Sequence, residues 1–426
     1  MTSETDTTTP TTKATPSLRS LTPDQWSAFI AAFLGWTLDA FDFFLLVFVL
    51  SDVAKTFDVP KASVATALTL TLACRPIGAF LFGVAADRYG RRIPLMVDVI
   101  LFSALALVSG FAPNLTIFLI LRALFGVAMG GEWGLGASLA LETAPPELRG
   151  RLSGILQGGY PTGYLLAALA YYLTATVLHV GWRGMFLLGA LPALLSLFIR
   201  AKVKESPVWE AHRATAAPSA AAGATTLGRT IRQNIGLFFY LVLLMAAFNF
   251  MSHGTQDLYP TFLKEQRHFS PGTVSAIAIT YNIGALSGGI FFGWLSQHIG
   301  RRRTIVTAAL LALPVVPLWA YAPTALTLAA GAFLLQFLVQ GAWGVIPAHL
   351  AELSPNALRG TFTGFAYQVG NLIASTNANI QTGLAAQRND DYAWALSRVV
   401  AVGLVAAAII TSLGREARGI SFTEKR

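Results

Sequence analysis

The sequence predicts an all-α membrane protein of twelve transmembrane helices arranged as two six-helix halves. Three observations carry this expectation: a charge-poor composition, apolar runs of bilayer-spanning length, and an internal repeat at constant offset. Of the 426 residues, 54% are hydrophobic and 12% charged, and the mean hydropathy is +0.58. A soluble domain carries about 25% charged residues, so too few charges are present to make a water-facing surface.

The apolar runs are each roughly 18–25 residues long, the length that crosses a ~30 Å hydrocarbon core as a helix. In lipid each backbone N–H and C=O must find its partner within the segment, which selects helix. A transmembrane barrel needs short alternating segments, and these runs do not alternate. The first six spans are read at 26–50, 62–86, 93–111, 115–139, 153–176 and 182–199. The second six are read at 235–259, 274–294, 305–321, 325–350, 362–381 and 392–412.

The repeat places the halves. GVAADRYGRR begins at Gly83 and GWLSQHIGRRR at Gly293, an offset of 293 − 83 = 210. The same offset maps Glu142 onto Glu352, Leu148-Arg149-Gly150 onto Leu358-Arg359-Gly360, and Gly131-Glu132-Trp133-Gly134 onto Gly341-Ala342-Trp343-Gly344. The expected division is a disordered cytoplasmic tail at 1–20, an N-terminal bundle at 21–200, a cytoplasmic linker at 201–233, a C-terminal bundle at 234–414, and a tail at 415–426. The first twenty residues are rich in Thr, Ser and Pro, and they lack the basic and apolar regions of a signal peptide.

Charge sets the expected orientation. The formal net charge is +9, and the basic residues gather in alternate loops, at Arg88, Arg91 and Arg92, at Arg149 and Arg151, at Arg200, Lys202 and Lys204, at Arg301 to Arg303, and at Arg359. The opposite loops hold scattered charges such as Lys55, Lys61, Lys264 and Arg388. The positive-inside rule puts the basic loops and both termini in the cytoplasm. Basic residues in short loops, without interleaved aromatics, argue against nucleic acid as a partner. The single cysteine, Cys74, permits no disulfide within the chain, and no Cys/His spacing suggests a metal site.

Gly83-x-x-x-Asp87-Arg88-x-Gly90-Arg91-Arg92 resembles the signature between helices two and three of the major facilitator superfamily, and with its echo at Gly293 the resemblance spans essentially the whole chain. It implies a carrier with a central site between two halves that rock about it. It also implies that this motif is a conformational latch at the cytoplasmic face, with Glu142 and Arg149, and Glu352 and Arg359, as matching clamps. In the second copy Gln297 stands where the first has an acid, so a weaker C-terminal latch is expected.

One stretch narrows the resemblance. Asn249-x-x-Ser252-His253-x-Thr255-Gln256-Asp257-x-x-x-Thr261 fits the N-x-x-[ST]-H-x-[ST]-Q-D-x-x-x-T motif of the yeast-type lactate/pyruvate:proton symporters, in the sialate:proton symporter family. The segment from Trp36 to Phe44 and Arg75-Pro76-Ile77-Gly78 look similar to that family too, and Glu205-Ser206-Pro207-Val208-Trp209 resembles the segment after helix six of sugar-type carriers. The resemblance implies symport of a small monocarboxylate with a proton. Other organic acids, sialic or aromatic, and a non-transporting carboxylate sensor remain as rivals. No cofactor is expected beyond the co-transported proton. The expected setting is the cell (inner) membrane, as a multi-pass monomer whose partners are the bilayer and a small organic acid anion. No nucleophile–base arrangement suggests an enzyme.

Ionisable groups at membrane depth are costly, so each is a functional candidate. Arg75 lies twelve residues before Asp87, about 18 Å along the helix, which is mid-membrane. A guanidinium can hold a carboxylate by two parallel hydrogen bonds, so Arg75 and Arg122 are the candidate anion sites, with an internal ion pair as the alternative for each. Asp39 and Asp42 are candidates for proton coupling or for pairing with those arginines. His253 and Asp257, one turn apart, form a pair that can exchange a proton in the physiological range. Asn249, Ser252 and Gln256 add uncharged groups to the candidate substrate site, and Glu132, without an acidic counterpart in the second half, is left open. Tyr281, Asn282, Gln336, Gln340, Tyr367, Gln368 and Asn371 are candidates to complete the cavity.

Overall fold

The computed structural model describes residues 17–215, 229 and 232–422. Residues 1–16 of the expected tail, and most of 216–231 in the linker, lie outside the described residues. Helices α1 (Pro23–Phe57), α2 (Lys61–Tyr89) and α3 (Arg92–Ser109) open the first half. They are followed by α4 (Leu115–Met129, continuing as Glu132–Thr143), α5 (Arg149–Gln157 and Gly159–Tyr171) and α6 (Gly181–Leu188 and Ala193–Lys202). The second half holds α7 (Ile235–Gln256), α8 (Pro271–Ile299), α9 (Arg301–Ala312 and Val316–Tyr321), α10 (Ala325–Leu353), α11 (Arg359–Ala374 and Asn377–Ala386) and α12 (Tyr392–Leu413). The linker carries a short helix at Pro207–Thr215.

Ten of these helices are long and apolar enough, among the described residues, to cross a membrane by composition. The two that are not, α5 and α11, are related by the repeat and form much of the contact between halves. A helix that packs on protein rather than lipid can keep Ser153, Gln157, Gln368 and Asn371. Large apolar side chains such as Leu81, Leu194, Leu243 and Val402 point outward and are exposed. On a soluble protein so much exposed apolar surface would be a liability; in a bilayer it meets acyl chains.

The halves meet through α2 with α11, α5 with α8 and α10, and α4 with α11. The approach is close because glycines line it. A Cβ on Gly83 would lie 2.7 Å from the Cα of Thr361, and one on Gly154 would lie 2.2 Å from the carbonyl oxygen of Gly289. With hydrophobic association weak inside lipid, such close packing of small residues is what joins helices.

The loops after α2 and α8 turn on glycines that no other residue can replace cleanly. Gly90 has φ 96° and Gly300 φ 98°. A Cβ on either would strike a carboxylate, that of Glu205 or Glu416 respectively. Glu205 accepts hydrogen bonds from the backbone N–H groups of Arg91 (2.7 Å) and Arg92 (3.2 Å), and Glu416 accepts them from Arg301 and Arg302, both at 3.0 Å. Each carboxylate thus caps the N-terminus of the next helix, where negative charge is favoured. The tail expected at 415–426 is, over its described residues, folded back against the body of the protein.

Candidate functional site

Between the halves lies a cavity of about 590 Å³. The hydrogen bonds that join the halves lie at its arginine-rich end, and the cavity reaches away from that end toward Val47, Leu68, Tyr164 and Pro260. Its floor is aromatic. Trp133 and Tyr367 lie 4.4 Å apart with their rings tilted, Trp36 lies 5.5 Å from Tyr160 and 6.5 Å from Tyr367, and Trp343 lies 5.8 Å from Tyr367. The rings of α1 and α4 thus meet those of α10 and α11 across the interface of the halves.

The polar walls come from both halves. Arg75 on α2 lines the cavity, is 4% exposed, and is ion-paired with Asp39 at 3.4 Å. Its guanidinium also faces the ring of Phe43 at 5.5 Å. On the opposite wall α7 presents Asn249, Ser252, His253, Gln256 and Asp257 together. The His253 ring is held at both nitrogens, by Asp257 Oδ1 through Nδ1 and by Asn371 Oδ1 through Nε2, each at 3.1 Å. Asp257 and the Asn371 amide oxygen are placed to accept from both ring nitrogens, an arrangement that suits an imidazolium when both carry protons. Gln336 and Gln340 of α10 brace the same helix: Gln340 Nε2 donates to Ser252 Oγ at 2.9 Å and Gln336 Nε2 to Thr255 Oγ1 at 3.0 Å.

Several expected residues are not brought to the cavity. Arg122 is 1% exposed, donates to Ser109 Oγ, and lies over the rings of Phe125 (3.9 Å) and Phe186 (5.2 Å). Its aromatic packing inside the N-terminal half removes it from the substrate-facing wall. Asp42 is likewise enclosed, without a hydrogen-bond partner and within electrostatic reach of Arg122. Asp39 stands behind Arg75 and does not line the cavity. Gln368 is buried away from it, whereas Tyr281, Asn282, Gln336, Gln340, Tyr367 and Asn371 do line it. Sequence reasoning passed over Gln157, Tyr160 and Tyr164 of α5. Their signal was the low hydropathy of that span, which marks a helix facing something other than lipid.

At the arginine-rich end the expected pairings are rearranged. Glu142 binds not Arg149 but Arg91 (Nη2 3.0 Å, Nε 3.2 Å) and, from the other half, Arg359 at 3.1 Å. Glu352 binds not Arg359 but Arg301, through Nε and Nη2 at 2.9 and 3.0 Å. Arg149 instead donates to the carbonyls of Leu141 and Ile420. Phe422 of the tail is wedged between Arg149 (3.5 Å) and Arg359 (3.7 Å) and is 2% exposed. Asp87 crosses to α11, accepting from the backbone N–H groups of Gly360 and Thr361, both at 3.0 Å, and from Thr361 Oγ1.

Gln297 performs the matching crossing to α5, accepting from the Gly150 N–H at 2.9 Å and donating to the Pro146 carbonyl at 3.0 Å. The amide makes this crossing because it can accept as the carboxylate does and also donate. Arg92 stays within its own half, donating to the Arg200 carbonyl. Arg88 is exposed and stacks on its neighbour Tyr89, making no crossing contact.

Comparison with known proteins places this architecture. The sequence profile of the Major Facilitator Superfamily matches residues 32–378, with a second match over 242–419. The chain belongs to the major facilitator superfamily. This superfamily member is a multi-pass membrane protein with a transporter fold. It is 31% identical over 388 residues to a carboxylic acid transporter protein homolog of Saccharomyces cerevisiae, covering 87% of this chain and 63% of that protein's length. It is 33% identical over 357 residues to a probable 4-methylmuconolactone transporter of Cupriavidus pinatubonensis, covering 83% and 82% of the two chains. The solved proton:xylose symporter XylE superposes with a TM-score of 0.77 at 20% identity, over 94% of this chain and 98% of that one, a likeness of fold.

Proposed function

We propose that this protein is a proton-coupled symporter of a small monocarboxylate, of the lactate/pyruvate type, working by alternating access. The observation that carries the reading is the doubly held His253 facing a cavity whose other wall bears Arg75. The α7 motif resembles that of lactate/pyruvate symporters, and a yeast relative is called a carboxylic acid transporter homolog.

The coupling follows from the Arg75–Asp39 pair. A substrate carboxylate that takes the guanidinium leaves Asp39 buried and unpaired, which is strongly unfavourable for an ionised group. A proton on Asp39 removes that cost, and the imidazolium on the facing wall adds a second positive charge. Substrate and proton therefore favour each other's binding. With one proton per monoanion the cycle is electroneutral, and each pH unit of gradient contributes ~1.4 kcal/mol. The positive-inside rule orients the arginine-rich end, and both termini, to the cytoplasm of the cell (inner) membrane. In that orientation the structure is the outward-facing state. The protein works as a monomer and needs no cofactor besides the proton.

A second reading is favoured by the aromatic lining. Trp36, Phe43, Phe44, Tyr160 and Tyr164 would suit a flat cyclic acid, and one relative is called a methylmuconolactone transporter. Uptake of labelled L-lactate by proteoliposomes, challenged with pyruvate, benzoate, muconate and sialic acid, separates the readings. Competition by pyruvate alone supports the first and dominance of the cyclic acids the second. Binding with no uptake of any of them would mark a carboxylate sensor.

A further inference from the structure

Four acids and two arginines are enclosed within the membrane-spanning part of the N-terminal half. Asp39, Asp42, Asp98 and Glu132 are each no more than 1% exposed, and Arg75 and Arg122 no more than 4%. The arginines can neutralise two of the four acids, and two remain. Arg75 is paired with Asp39 and Arg122 faces Asp42, so Asp98 and Glu132 are the two left over. Among the described residues, none of their four oxygens has a hydrogen-bond partner, and no ion pair reaches either of them. An ionised carboxylate so placed costs several kcal/mol more than a protonated one.

The surroundings are built around these side chains. A Cβ on Gly35 of α1 would lie 2.2 Å from Glu132 Oε1, so the glycine is the notch that receives the carboxyl. A Cβ on Gly131 would lie 2.9 Å from Asp98 Oδ1, which sets Asp98 of α3 beside the backbone next to Glu132. The ionisable groups facing Glu132 are Asp39 of α1, Arg75 of α2 and Asp98 of α3. Glu132 therefore lies behind the Arg75–Asp39 pair, one residue from Trp133, whose ring closes on Tyr367 of the other half. Two residues on, Gly134 packs on Gly364. Both contacts beside Glu132 join the two halves.

From this geometry we propose that Glu132, with Asp98, is a proton-holding site behind the substrate cavity and the group through which the coupled proton leaves. In the closed state both carboxyls carry their protons. When the arginine-rich end opens and substrate leaves, Arg75 re-forms its pair with Asp39. Asp39 gives its proton to Glu132 as Glu132 gives one to water on that side, so one proton is delivered per cycle.

This extends the proton-coupled reading, and the test separates the two. Infrared difference spectra of the whole protein in lipid report protonated carboxyls by a carbonyl stretch that carboxylates lack. At neutral pH one such band should vanish in Glu132→Gln and another in Asp98→Asn, while both variants fold, since each replaces a neutral group by a neutral group. Spectra in which neither substitution removes a band overturn the proton-holding site, whatever the transport result. In proteoliposomes, Glu132→Gln should lose pH-gradient-driven accumulation of L-lactate altogether. Accumulation retained by that variant overturns the release route. Should the wild-type protein itself ignore the pH gradient, the symport reading fails, and the infrared bands alone decide the site.

Discussion

Arg359, in the C-terminal half, reaches across the molecule to Glu142 in the N-terminal half at 3.1 Å, and both side chains are almost wholly buried. Glu142 also receives Arg91 from its own half and the hydroxyl of Ser206 from the linker. One carboxylate thus ties the first motif, the linker and the second half together. Removing one member of a buried pair costs about 3–5 kcal/mol because the other is left uncompensated. Glu142→Gln should therefore release the closed end. Hydrogen exchange over 142–154 and 359–364 should quicken at least about tenfold, each ~1.4 kcal/mol being one factor of ten. Unchanged exchange in both segments would contradict this role.

The tail should share in that closure. Phe422 sits between the guanidinium groups of Arg149 and Arg359, and the Ile420 carbonyl accepts from Arg149. Cation–π contacts contribute about 0.5–2 kcal/mol each. Phe422→Ala should raise exchange in the same two segments, by less than Glu142→Gln does. If only the tail itself exchanges faster, Phe422 is a passenger on the closed gate.

Arg75 should show the asymmetry of a paired cation. Arg75→Gln leaves Asp39 buried without its partner and should lower both thermal stability and lactate affinity. Adding Asp39→Asn should restore most of the stability and none of the affinity. Recovery of affinity in the double variant would place the anion elsewhere. Arg75→Lys should bind weakly, since a point charge lacks the two-pronged geometry.

Glu416 gives a pH dependence outside the membrane. Burial alone raises its pKa, but the backbone N–H groups of Arg301, Arg302 and Arg418 outweigh burial and hold it below the usual value of 4.5. A group with a depressed folded pKa stabilises fully above its unfolded pKa and loses that contribution as pH falls through the folded one. Glu416→Gln should therefore lower the melting temperature at neutral pH. The difference from wild type should shrink as the pH drops below about 4.5. A gap that stays constant into acid would show that the charge is not what matters.

Much of this was legible in the chain. The constant offset of 210 placed the two halves, because the same glycine–arginine motif recurs where two helices are capped and crossed in the same way. The α7 motif put His253, Gln256 and Asp257 on one wall because they lie within one turn of each other. What could not be read was which distant groups meet. Arg149 is as plausible a partner for Glu142 by sequence as Arg359, and only the crossing of α2 against α11 decides for Arg359. Arg122 stood beside Arg75 as an anion candidate because position along a helix does not say which face a side chain takes. The capping role of Glu416 was not legible either, since the helix it meets lies more than a hundred residues away.

The central claim is that lactate and a proton enter together, the anion on Arg75 and the proton on Asp39, with His253 and Asp257 on the facing wall of the site. The most direct measurement is the pH of a weakly buffered medium when L-lactate is added to proteoliposomes, with no imposed gradient and with voltage clamped by potassium and valinomycin. The account predicts alkalinisation of the medium that matches lactate uptake one for one and disappears in His253→Ala and Asp257→Asn. Lactate uptake with no change of pH, or with alkalinisation undiminished in both variants, would contradict it.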